Sequence, residues 1–136
     1  SGLHKGAYVL AEAETKSGKA TTPRLILIAT GSEVGLALGA RERLNAEGTP
    51  TRVVSMPCWE FFDAQTDKYK QEVLPAKITA RLAIEAGVSQ GWHKYVGSSG
   101  DTLCVDRFGA SAPAEDVFKD YGFTVENVVK KAQGLL

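Results

Sequence analysis

The stretch Leu25 to Val34, LILIATGSEV, decides the fold. Its first five residues are apolar and bounded by polar chain on both sides, the pattern of a short strand buried on both faces, as in a parallel sheet. Gly31 then allows a sharp backbone turn. Ser32 is placed to cap a following helix, and Glu33 puts a negative charge on its first turn. Val34, Ala37, Leu38 and Leu44 recur near helical spacing. The stretch therefore reads strand, tight turn, helix: the opening of a βαβ unit.

Working outward, the helix is expected from Glu33 to Ala46, stopped at Glu47-Gly48 with Pro50 beyond. Its Gly35, Ala37, Gly39 and Ala40 would let it lie close on a sheet. Thr51 to Met56 (TRVVSM) supplies the second strand, so the crossover is parallel and right-handed. On the other side, Gly6 to Leu10 (GAYVL) reads as a strand, and Ala11 to Thr22 as a loop or hairpin. Further along, Trp59 to Phe62 is one aromatic helical turn. Asp67 to Leu74 is a helix capped by Asp67, and Ile78 to Ala86 a third parallel strand. Gln90 to Val96 reads as a short helix, Thr102 to Asp106 as the last strand and Ala112 to Asp120 as a helix. The last helix is capped by Thr124, with a stripe of Val125, Val128, Val129, Ala132 and Leu136. Strands alternating with helices give a three-layer α/β/α sandwich with about four parallel strands. The first strand is placed to join as an antiparallel edge. Residues 1–5 are expected as a loose terminus or a cloning remnant, and 1–136 as a single domain.

Composition narrows the function. The 136 residues carry 16 basic and 16 acidic side chains, which removes the electrostatic case for nucleic acid or an anionic membrane surface. No apolar run approaches the ~20 residues of a membrane span. Cys58 and Cys104 are far apart with no CxxC spacing. They suit a reducing compartment, the cytoplasm or a plastid, with a single bridge between them the other reading.

Each candidate site has a bland counterpart. The turn Thr30-Gly31-Ser32 offers free amides at a helix start, which attract anions. It lacks the glycines of GxGxxG and the lysine of a P-loop, so a plain structural turn competes. Gly109 to Pro113, GASAP, follows the GxSxG nucleophile elbow until Pro113 replaces the last glycine, and a helix entry explains it better. The cluster Trp92, His93, Lys94 and Tyr95 lacks a second ligand at metal spacing. It reads as a packed or interfacial aromatic patch. Asp106, Arg107 and Glu115 read as ion-pair residues, and the cysteines as small core hydrophobes. The residues give a fold without a complete catalytic constellation, as one piece of a larger enzyme would.

The chain resembles the C-terminal domain of transketolases. The resemblance is carried by KGAYVL (5–10), LILIATGSEV (25–34), RVVSMP (52–57), VLP (73–75), TARLAIEAG (79–87), GWHKYVG (91–97) and FGASAPAEDVFKDYGFTVENVV (108–129). It implies a mixed five-stranded sheet with one antiparallel strand. It further implies a homodimeric parent enzyme that uses thiamine diphosphate and magnesium. That enzyme would move a two-carbon ketol unit from a ketose phosphate to an aldose phosphate in the pentose phosphate pathway. The family's cofactor, metal and substrate residues lie in its two preceding domains. The resemblance therefore assigns no catalytic, cofactor-binding or metal residue to this chain. It implies a non-catalytic module, structural or regulatory, packed on the pyrimidine-binding domain. The same domain of deoxyxylulose-phosphate synthase or a 2-oxoacid dehydrogenase β-subunit is the alternative, with a free-standing flavodoxin-like anion-binding module as the non-enzymatic one. GWHKYVG and FGASAP favour transketolase.

Overall fold

The structure is a computed structural model describing residues 2–85, 91–104 and 124–136. Five strands form one sheet: β1 (Tyr8–Ala11), β2 (Leu25–Ala29), β3 (Thr51–Ser55), β4 (Arg81–Glu85) and β5 (Asp101–Cys104). Their spatial order is β1-β3-β2-β4-β5. Strand β2 pairs in parallel with β3 (Leu27 opposite Val53) and with β4 (Leu27 opposite Leu82). Strand β5 adds in parallel to β4. Strand β1 is antiparallel to β3, with an irregularity between Val9 and Ala11. The mixed sheet with its antiparallel edge is the architecture expected.

The central strand has the burial its sequence demands. Leu25, Ile26, Leu27, Ile28 and Ala29 are each 0% exposed. Burying each such Leu or Ile contributes roughly 1.5–3 kcal/mol. Strand side chains alternate, so β2 feeds two cores. Leu25, Leu27 and Ala29 face one cluster, which holds Ala37, Ala40 and Leu44 of α1 (Val34–Ala46) and Val128, Val129 and Ala132 of α5 (Val125–Gln133). Ile26 and Ile28 face the other. It is closed by α2 (Trp59–Asp63), α3 (Asp67–Val73) and α4 (His93–Val96) with Phe62, Val73, Trp92, Tyr95 and Val96. Helices on both faces make the three layers.

Several local expectations shift by a residue or a partner. Residues Gly2–Lys5, expected to be loose, form one 3-10 turn. Gly31–Glu33 form another before α1, and Ser32 does not cap the helix; its hydroxyl donates to Glu33 Oε2 at 3.2 Å. Thr66, not Asp67, caps α3 by accepting from the Tyr69 N–H at 3.2 Å. Thr124 caps α5 as expected, accepting from the Asn127 N–H. Leu135 packs on the core while Leu136 is 48% exposed, because the helix ends before the stripe's last position. The expected hairpin is pinned by a bridge between Glu14 and Ala20. The helix expected at 112–120, the GASAP stretch and Asp106, Arg107 and Glu115 lie outside the described residues.

One polar strut ties the layers past β1. Arg52 of β3, 9% exposed, donates through Nε and Nη2 to both carboxylate oxygens of Glu12, each at 2.9 Å. Its Nη1 donates to the carbonyls of Glu72 and Val73 at the end of α3. Arg41 of α1 donates to the Glu12 carbonyl through Nε at 2.9 Å and Nη2 at 2.6 Å. Burial alone would raise the Glu12 carboxyl. The bonds from Arg52 and the Ala13 N–H, with the charges of Arg52 and Arg41, hold it below its ordinary 4.5.

Candidate functional site

The strand order predicts where a ligand would enter an α/β sheet. The chain leaves β2 towards β3 through α1, then returns across β2 to β4. The connections therefore diverge beyond the carboxyl ends of β2 and β4, the switch point where open sheets bind ligands. Thr30 and the Gly31 turn (φ +61°) stand at that place. A cavity of about 270 Å³ opens there, lined by Thr30, Met56, Pro57, Cys58, Trp59, Glu60 and Glu85. Its polar side chains are the Thr30 hydroxyl, the Cys58 thiol and the carboxylates of Glu60 and Glu85. The Cys58 Sγ–H donates to Glu60 Oε2 at 3.3 Å.

The two carboxylates oppose a phosphate inside the cavity itself. Of the turn residues only Thr30 lines the cavity, and Gly31 and Ser32 are exposed beside it in sequence. The neighbouring Glu33 is 4% exposed and accepts the hydrogen bond of the Ser32 hydroxyl. Its charge sits on the helix end an anion would need. Sequence reasoning gave no role to Glu60 or Glu85. The signal that could have found them is the switch-point rule applied to a βαβ order.

The Trp92, His93, Lys94 and Tyr95 cluster divides. Trp92 is 1% exposed and Tyr95 4%, so the aromatic half is core rather than a surface patch. Trp59 stacks edge-on to Trp92 with centroids 5.1 Å apart, and Tyr95 lies 6.0 Å from Trp92. His93 and Lys94 are exposed. Lys94 Nζ pairs with Asp63 Oδ2 at 2.8 Å, and the Tyr95 hydroxyl donates to both Asp63 oxygens at 3.1 and 3.2 Å. Burial, then the bond to Asp63 and its charge, push the Tyr95 hydroxyl far up. It stays a proton donor at any physiological pH. Spacing in sequence placed all four residues together on one short helix, but helical phase decides which side faces in.

Among the described residues no three His, Cys, Asp or Glu side chains converge as metal ligands. His4 and His93 are both exposed. No described helix is long and apolar enough to cross a membrane.

Comparison with known proteins agrees with this picture of a part. The chain is 55% identical over 135 residues to the transketolase of Geobacillus stearothermophilus, covering 99% of this chain and 20% of that protein. It is 56% identical to the transketolase of Halalkalibacterium halodurans, covering 99% of this chain and 19% of that one. The transketolase of Leishmania mexicana superposes with a TM-score of 0.86 at 42% identity, over 98% of this chain and 18% of that one. The chain thus spans about a fifth of the length of the curated relatives it matches. The family described as the Transketolase-like TK C-terminal domain matches residues 6–124. With the five-stranded sheet, its antiparallel edge and a family match that takes in every described strand, the chain belongs to the family of transketolase C-terminal domains.

Proposed function

We propose that this chain is the non-catalytic C-terminal module of a cytoplasmic transketolase. The parent enzyme would move a two-carbon ketol unit between ketose and aldose phosphates, with thiamine diphosphate supplying the carbanion chemistry and magnesium holding it. Those groups would be bound by the preceding domains. The module's role would be to pack on the pyrimidine-binding domain and brace the homodimer. The observation that carries this reading is the coverage: nearly all of this chain answers to a fifth of each relative. The free thiol of Cys58 supports a reducing compartment.

The contact surface would include His93 and Lys94, together with Phe61, 56% exposed on the adjoining α2. Calorimetry with thiamine diphosphate and magnesium, and a coupled ketol-transfer assay, test the reading. The 136-residue chain should give no binding heat and no turnover; measurable turnover overturns it. A regulatory anion site at Thr30, Gly31 and Ser32 is the second reading, favoured by the turn's place at the switch point. Density for phosphate on Gly31 after soaking a crystal would support that reading.

A further inference from the structure

We propose that the cleft at the amino end of β4, at the opposite end of the parallel strands from the switch point, is an oxyanion site for inorganic phosphate or a phosphate monoester. The cleft encloses about 340 Å³ and is lined by Arg81, Gln71, Thr79, Ser98 and Ser99 among others. That volume falls at the lower end of the range, about 300–1,000 Å³, of small-molecule sites.

Arg81 is the centre. Its Nε donates to the Ile78 carbonyl at 2.9 Å and Nη1 to the Tyr95 carbonyl at 2.7 Å. Its Nη2 donates to the carbonyls of Leu74 at 3.2 Å and Pro75 at 2.8 Å. Every one of these acceptors is a neutral backbone oxygen. Among the described residues no carboxylate pairs with it. Four of the five N–H groups are spoken for, which fixes the plane; one on Nη1 is left over. A guanidinium held this way keeps its full charge at neutral pH and has already lost its side-chain freedom, so an anion would not have to order it.

The rest of the lining donates. Gln71 Oε1 accepts from the Ala76 N–H at 2.9 Å, which leaves the amide nitrogen of Gln71 to serve as a donor. Thr79, Ser98 and Ser99 add hydroxyls. The charge of the lining separates this cleft from four other cavities among the described residues. Those include Glu85 in one, Asp101 in another, Asp63 in a third and Glu14 in the last. No acidic side chain lines the Arg81 cleft. A fixed cation, neutral donors and no competing carboxylate are what a phosphate dianion needs. The adjoining cavity shares Arg81, Gln71 and Leu74 and adds Lys70, Lys94 and Asp63, and Lys94 is paired with that Asp63 carboxylate at 2.8 Å.

The test is a 15N NMR titration of the 136-residue chain with inorganic phosphate, ionic strength held constant with sodium chloride, then with glycerol 3-phosphate and with acetate. Saturable shifts are expected at Thr79, Arg81 Nε, Ser98 and Ser99. Ser98→Asp should weaken the response about tenfold or more through like-charge repulsion while leaving the Arg81 carbonyl bonds and the melting temperature unchanged. A response to phosphate alone assigns the free ion, and a response to both phosphates assigns the monoester class. Four results would overturn the proposal: no saturation, shifts centred on residues 30–33, indifference to Ser98→Asp, or acetate matching phosphate.

Discussion

On one face of the sheet, α1 and α5 bury Ala37, Ala40, Leu44, Val128, Val129 and Ala132. On the other, α2, α3 and α4 bury Phe62, Trp92 and Tyr95. The first face is aliphatic, with two long helices drawn in by small residues. The second is aromatic, built from short helices whose rings span the gaps, with the Tyr95 hydroxyl reaching Asp63. Four of the described cavities border this second cluster, through Leu74, Met56, Val96 and Tyr95. Short helices cannot close over a sheet as two long ones do. The aliphatic layer therefore supplies smooth packing, while the aromatic layer supplies recesses in which polar groups can meet.

The contrast is broken most directly by cutting each layer at its largest buried side chain. Trp92→Ala should cost about 4 kcal/mol, because a ring in edge contact with Trp59 and Tyr95 leaves a cavity that short helices cannot fill. Leu44→Ala on the aliphatic side should cost about 3 kcal/mol, since neighbouring methyls relax into the space. Urea unfolding of both variants checks the order, and a reversal would say the aliphatic layer dominates.

The strut between the layers comes next. Arg52→Ala should cost about 2 kcal/mol, less than a fully buried pair, because the Glu12 side chain is 40% exposed and screened. The pH dependence has a definite sign. The native Glu12 carboxyl lies below its ordinary 4.5, so the unfolded chain binds its proton first. Its contribution is complete above that value and is lost as pH falls through the lower native one. Glu12→Gln should remove that part of the acid limb in a melting-temperature profile between about pH 5 and 2.

The smallest effect sharpens the aliphatic side. In α1 a Cβ at Gly35 would meet open space, whereas one at Gly39 would lie 3.0 Å from Val125 Cγ2 on α5. Gly35→Ala should therefore stabilise by roughly 0.5 kcal/mol on helix propensity, and Gly39→Ala should return nothing because α5 must give way. Thermal melts of the two variants distinguish a close helix pair from an incidental glycine.

The local grammar of the sequence was reliable where a signal repeats over a few residues. LILIA announced a strand buried on both faces, and Thr124 the start of the last helix. The grammar failed where two near-equivalent residues compete, as at Thr66 and Asp67, where the cap goes to the hydroxyl the backbone turns toward the Tyr69 amide. At the candidate site it could name Thr30, Gly31 and Ser32, which are contiguous. It could not bring Glu60 and Glu85 to the same cavity, nor Gln71, Arg81 and Ser98 to theirs, because their meeting requires the sheet.

The sequence by itself therefore determined the alternation of strands and helices, the doubly buried central strand and the family to which the chain belongs. These rest on short-range periodicity and on runs of residues long enough to be specific. Only the tertiary structure decided that Trp92 and Tyr95 turn inward, that carboxylates gather at the switch point, and that Arg81 stands among carbonyls with no acid beside it. Those outcomes depend on which distant segments cover a side chain, and coverage is fixed by the packing of whole layers rather than by any residue's neighbours in the chain.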